Sequence, residues 1–295
     1  MFGLNLKQKL LGAAAGTLLL GLSAQVAHAT PINSILTSGN SLPLLSDNSA
    51  EYLINIGADD NTVDVGDRLR GILSINTIEN PGTTPVGSGG NPELTALFDV
   101  TVTGKVCAGA GTTLCSFTFG ATPGFAAEAA GLGFANVAGA AIAFFEDDDA
   151  IYDFTRVDGI AAGEASATDG DPFWLLGFDG VDDFWSAFAF DDDITAVPPP
   201  PGIIALFNAG LSLLDNPFGI GLNPLKCGPG GIAIVDACGS GGVIAPDAEN
   251  EGFDVWDNVD FTVSVPEPAS LSLFGLGLLG LGYRSFRRNR RQKKA

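Results

Sequence analysis

Hydrophobic and polar positions alternate most clearly near the end of the chain. Val259, Phe261, Val263 and Val265 share one phase, and Asp260, Thr262 and Ser264 the other. A period of two sends successive side chains to opposite faces, so this segment reads as a half-buried strand. Residues 97–106, LFDVTVTGKV, carry the same pattern, with Phe98, Val100 and Val102 in phase and Val106 as a later candidate. Segment 72–78 is β-branched and partly alternating, and 116–120 reads as a short strand. Segments 140–145 (AAIAFF) and 183–190 (DFWSAFAF) are apolar runs without internal turn residues, consistent with buried strands. Helical spacing is weak apart from 125–141, rich in Ala and Gly, and 202–214, GIIALFNAGLSLL.

Between these runs lie turn-rich stretches, the longest from Asn80-Pro81-Gly82 to Asn91-Pro92. Many short strands punctuated by Gly and Pro predict an all-β fold, expected as a jelly-roll-like β-sandwich. The four-proline run Pro198–Pro201 is stiff, and a Gly-rich stretch with two cysteines follows it. One body over 30–265 with a Gly/Pro-rich insert is expected, a subdivision near 198–201 being the alternative.

Both ends differ from the body. Lys7 and Lys9 precede an apolar run at 10–22, and Ala27-His28-Ala29 puts small residues at the −3 and −1 positions of a cleavage site before Thr30. That order predicts a secretory signal over 1–29. At the other end, Pro266-Glu267-Pro268 stops the last strand, because proline removes donors and fixes φ. Leu271 to Tyr283 is then apolar, and Arg287-Arg288-Asn289-Arg290-Arg291-Gln292-Lys293-Lys294 closes the chain. Counted from Ala269 to Phe286 and with snorkelling arginines, this predicts a membrane helix with a cytoplasmic C-terminus.

Removing the ends sharpens the charge. The body holds 33 of the 34 acidic residues and only Arg68, Arg70, Lys105, Arg156 and Lys226 as bases, a net charge of −28. Such a surface repels nucleic-acid phosphates, and it meets anionic membranes or polysaccharides only through bridging cations. The 46% hydrophobic content, with 20 Phe and 3 Trp, is sufficient for a packed core.

The only histidine, His28, falls in the signal, which excludes Ser-His-Asp and Cys-His catalysis and imidazole metal sites from the mature body. Gly230-Gly231 and Gly239–Gly242 lack any phosphate-loop continuation and read as flexible loop. The body is expected to be non-enzymatic. A glycoside hydrolase, which needs only two carboxylates, is a distant alternative.

Calcium is the cofactor expectation, because it takes carboxylate and carbonyl oxygens in flexible geometry. Asp59, Asp60, Asn61, Asp64 and Asp67 bring five oxygen-bearing side chains into nine residues, without EF-hand spacing. Glu146–Asp149 and Asp191–Asp193 are further candidates, and the competing interpretation of each is a solvated acidic loop. Phe173-Trp174, Phe184-Trp185 and Trp256 are read as core, with sugar stacking as the alternative. Cys107, Cys115, Cys227 and Cys238 form two close pairs, and local disulfides 107–115 and 227–238 are expected of an exported chain.

The C-terminal order of Pro266-Glu267-Pro268, apolar helix and basic end resembles the PEP-CTERM sorting signal of exopolysaccharide-producing Gram-negative bacteria. The resemblance covers about the last 30 residues. It implies recognition by an exosortase, a membrane protease–transpeptidase, near Pro266-Glu267-Pro268, and delivery of the body to the surface or matrix. Together these readings predict an exported, structural or adhesive surface protein. Its partners are signal peptidase and exosortase, then exopolysaccharide, with a carbohydrate-binding module as the alternative function.

Overall fold

The alternating segment 97–106 is the middle of a longer strand, β4 (Glu93–Cys107), and this strand organises the molecule. The computed structural model describes residues 31–266 apart from 40–41, 58–61, 81, 89–90, 110–113, 149–151, 194–202 and 245–251. The signal segment, with Ala27 and Ala29, lies outside the described residues. So do Glu267, Pro268 and the rest of the tail, the proline run 198–201, and Asp59, Asp60 and Asn61.

The fold is mostly β, and its main sheet closes on itself. Strands β1 (Leu44–Ile54), β2 (Arg68–Glu79), β4, β6 (Ala140–Asp147), β7 (Asp171–Gly177), β9 (Ile203–Asp215), β12 (Ala237–Ile244) and β13 (Val255–Val263) pair antiparallel in the order β1-β2-β4-β6-β7-β9-β12-β13, and β13 returns to β1. β3 (Thr83–Pro85) extends β2 at one edge. A further antiparallel pair, β5 (Cys115–Ala121) with β8 (Phe184–Ala189), fills the wall between β4 and β9 at the other end of the barrel. One side of β4 therefore meets β6 over Glu93–Phe98 and β5 over Val100–Cys107. A small sheet of β10 (Leu225–Cys227) and β11 (Ala233–Val235) lies beside it.

This closed barrel replaces the expected sandwich. Alternation reports one buried face per strand, which both architectures satisfy. The pairing that closes the barrel, β1 with β13, joins segments from opposite ends of the body, which no local pattern reports. Leu73, Ile75, Phe98, Val100, Val102, Phe144, Trp174, Trp185, Phe207 and Phe261 fill the interior, as eight-stranded barrels require. Each such large side chain contributes about 1.5–3 kcal/mol on burial.

Three local expectations are corrected. Segment 202–214 is strand β9, with Phe207, Ala209 and Leu211 inward; Leu206 on the opposite phase blurs the period. Gly239–Gly242 belongs to β12 and is not a loop. A Cβ on Gly239 would lie 2.9 Å from the Phe261 ring, and one on Gly241 3.0 Å from that of Phe207, so glycine lets these rings cross the strand. Val106 is exposed because a bulge between Val102 and Gly104 breaks the phase of β4.

The lower end of the barrel, where β4 begins and β13 ends, is plugged by helix α1 (Ile32–Thr37), whose Ile32, Ile35 and Leu36 join the core. Ile32 N–H donates to Glu146 Oε1 at 2.7 Å, and Asn80 donates to the Ile35 carbonyl at 3.2 Å. On the outer wall, helices α2 (Phe125–Gly131) and α3 (Ile160–Ser166) help cover Ile72, Leu97, Ala143 and Phe145. β6 is thus buried on both faces, which accounts for its continuous apolar run. Only 125–131 of the Ala/Gly-rich segment is helical. The expected disulfides are present: Cys107–Cys115 joins β4 to β5, and Cys227–Cys238 ties β10 to β12.

Candidate functional site

On the outer face of β2, Arg68 and Arg70 stand opposite Thr101 and Asp99 of β4. Asp99 is fully buried, and Arg68 and Arg70 both bond its carboxylate. Arg70 reaches Asp99 at 3.1 Å, Glu128 of α2 at 2.7 and 2.9 Å, and Glu164 of α3 at 2.6 and 3.0 Å. Every guanidinium N–H is thereby used, in the bidentate mode that arginine favours. Thr122 donates to Asp99 at 2.7 Å and Tyr52 to Glu164 at 2.7 Å. Burial alone would raise Glu164, but the bonds from Arg70 and Tyr52 outweigh it and hold the carboxyl below its ordinary value. This network clamps both helices to the barrel, and its polar groups are engaged with one another.

Inside the barrel the acids have no such partner. Asp47, Ser49 and Glu51 on β1 and Asp257 on β13 pair in register with inward positions of β2 and β1. All three carboxyls are buried. Asp47 Oδ1 accepts the Val259 N–H at 2.6 Å, whereas Asp47 Oδ2, Glu51 Oε2 and Asp257 Oδ1 have no hydrogen-bond partner. Burial raises all three, Glu51 to about 7 against a bond with Asp257 that lowers it. Glu51 also belongs to the wall of a cavity of about 80 Å³ at the upper end, lined by Leu53, Leu69, Phe117, Phe190 and Val255.

The upper rim unites two of the acidic clusters seen in sequence. Lys105 bonds Asp64 at 2.9 Å and Asp192 at 2.8 Å, and the Val63 N–H donates to the Asp192 carbonyl. Asp67 accepts the N–H groups of Ile56 and Asp64 at 3.0 and 2.8 Å. Asp64 and Asp67 therefore serve different partners, and the other three candidates, Asp59, Asp60 and Asn61, lie outside the described residues. Cys107, Cys115 and Asp192 also lie close together, but the disulfide removes both sulfurs as thiolate ligands.

The third cluster gains two members that sequence reasoning missed. Glu93 opens β4 opposite Asp147, the last residue of β6, and Asp153 arrives from the following loop. Carboxylate oxygens of Glu93, Asp147 and Asp153 lie within 4.8 Å of one another. Glu93 is only 4% exposed; its Oε1 accepts the Asp153 N–H at 2.9 Å and its Oε2 has no partner. Burial, and then the charges of Asp153 and Asp147, raise Glu93 to about 7. Glu93 stands far from Asp147 in sequence, so no local spacing announced the group.

Trp174 and Trp185 are buried, as the core reading expected, and Trp174 Nε1–H donates to the Ile220 carbonyl at 3.3 Å. Trp256 faces outward with the Arg156 guanidinium 5.2 Å from its ring centroid. Beside it, Asn48, Ser74, Asn76, Tyr152, Thr155 and Arg156 line an outer groove of about 180 Å³.

A model of the PEP-CTERM protein-sorting motif matches residues 264–288. The chain carries that motif, which marks an exported, membrane-anchored precursor processed by exosortase. No curated protein and no solved structure matches the chain.

Proposed function

We propose that this chain is a non-enzymatic structural or adhesive protein of the Gram-negative cell surface or exopolysaccharide matrix. One observation carries the reading. The sorting motif begins at residue 264, immediately after β13 closes the barrel at Val263. Cleavage near Pro266-Glu267-Pro268 would release every barrel strand intact, from the end plugged by α1. An outward patch of Phe188, Phe190, Ile203 and Leu206, each about half exposed, supports association with other matrix components. Intact-mass and terminal sequencing in the native host should find a chain starting at Thr30 without the basic end. A full-length tail in the extracellular fraction would overturn the processing claim.

The groove beside Trp256 favours a second reading, carbohydrate binding. Amides and hydroxyls from Asn48, Ser74 and Asn76 suit sugar hydroxyls, Tyr152 is exposed, and Arg156 Nη1 has no partner. Exopolysaccharide from the host should bind the wild type and lose affinity for Tyr152→Ala and Arg156→Ala. Equal binding by all three proteins would exclude the groove.

A further inference from the structure

We propose that Glu93, Asp147 and Asp153 bind one calcium ion at the lower end of the barrel. The inference is independent of how the chain is sorted. Two observations support it. Three carboxylates converge to within 4.8 Å, and one of them, Glu93, is more than nine-tenths buried with Oε2 lacking any partner. A buried carboxylate oxygen without a donor is strongly disfavoured in its charged form unless a cation or proton meets it. Glu93 takes part in no ion pair among the described residues.

The donor chemistry selects the ion. All three ligands are hard oxygens, and no imidazole or thiolate joins them among the described residues, which disfavours zinc and the softer metals. Calcium accepts one or two oxygens per carboxylate and completes six to eight positions with carbonyls and water. Magnesium requires near-octahedral geometry and gives up water reluctantly. Glu93 and Asp147 are fixed by the strand pair β4–β6, while Asp153 comes from a loop held by its own N–H on Glu93 Oε1. Gly87 makes room: at φ 65°, a Cβ there would lie 2.7 Å from the Tyr152 ring and 3.5 Å from Glu93 Cγ.

The test uses the full-length chain purified in detergent. Melting is compared in calcium chloride, magnesium chloride and sodium chloride of equal ionic strength, with a chelator control. Calorimetric titration with calcium gives stoichiometry. A calcium-specific rise in Tm of about 5–10 °C is expected at a hundredfold excess over Kd. Glu93→Gln and Asp153→Asn should each abolish the rise and the titration heat, and Asp64→Asn at the opposite rim should keep both. Asp153 is exposed, so its variant remains informative if Glu93→Gln folds poorly. Equal stabilisation by all three salts would reduce the effect to screening and overturn the proposal. Loss of binding in Asp64→Asn with retention in Asp153→Asn would move the site to the upper rim and overturn it equally.

Discussion

Asp99 and Glu93 lie on the same strand, six residues apart, with side chains on the same outer face of the barrel. Both are buried, yet their surroundings differ completely. Asp99 receives two arginines and a threonine hydroxyl. Glu93 receives no cation among the described residues: it accepts the Asp153 N–H at 2.9 Å and faces two further carboxylates. With so few bases in so acidic a body, compensation is concentrated where it holds α2 and α3 down, and the lower rim is left electron-rich. Charge balance in this protein is therefore a local property. Net charge says nothing about which acid is buried with a partner and which is buried without one.

The strongest test of the compensated side removes its hub. Arg70→Met should destabilise by about 2–3 kcal/mol, because the buried Asp99 keeps only Arg68 and Thr122 while the part-exposed Glu128 and Glu164 lose their shared cation. Arg70→Lys should recover only part of this, since an ammonium cannot make the two bidentate pairs. Urea unfolding would measure both. A loss below about 1 kcal/mol in Arg70→Met would show that the clamp is dispensable and weaken the contrast with Glu93.

The uncompensated side is sharpened by the interior acids. Folded Glu51 is raised to about 7 from an ordinary 4.5. The folded state therefore holds the proton more tightly than the unfolded chain. Its contribution is complete below about pH 4.5 and is lost as pH rises through 7, about 3 kcal/mol in all. Asp47 and Asp257, also raised by burial, add to the same trend. Glu51→Gln should flatten the decline in stability between pH 4.5 and 8, measured by denaturant midpoints in chelator. An unchanged slope would show that Glu51 ionises freely in the folded protein.

The smallest effect belongs to the upper rim. Lys105 joins Asp64, which is well exposed, to Asp192, which is partly so. Solvent screens such pairs, so Lys105→Met should cost about 1 kcal/mol or less, with the cost shrinking in high salt. Thermal melts at low and high ionic strength would check it. A cost equal to that of Arg70→Met would show that the exposed rim pair is as strong as the buried clamp.

Legibility in the sequence followed the range of the interaction involved. The strands around Phe98–Val102 and Val259–Val265 were visible because inward and outward positions alternate within a few residues. The two disulfides were visible because each closes a loop of 8 or 11 residues. β9 and β12 were hidden for opposite reasons. β9 carries apolar residues on both phases, and β12 replaces side chains with glycines whose use depends on Phe207 and Phe261 crossing from neighbouring strands. Glu146–Asp149 stood out as a charge run, but Glu93 within an apolar strand did not, and its position opposite Asp147 is set by the β4–β6 register.

By itself the sequence determined the all-β character, the acidic body with no histidine over residues 30–265, the local cysteine pairing and the sorting motif, because each rests on composition, a short period or contiguous residues. Only the tertiary structure decided that the strands close into a barrel, that Arg70 gathers Asp99, Glu128 and Glu164, and that Glu93 meets Asp147 and Asp153. These depend on pairings between strands and helices dozens of residues apart. No local pattern specifies them, since the same alternation serves a sandwich and a barrel, and the same carboxylate serves a salt bridge or a cation.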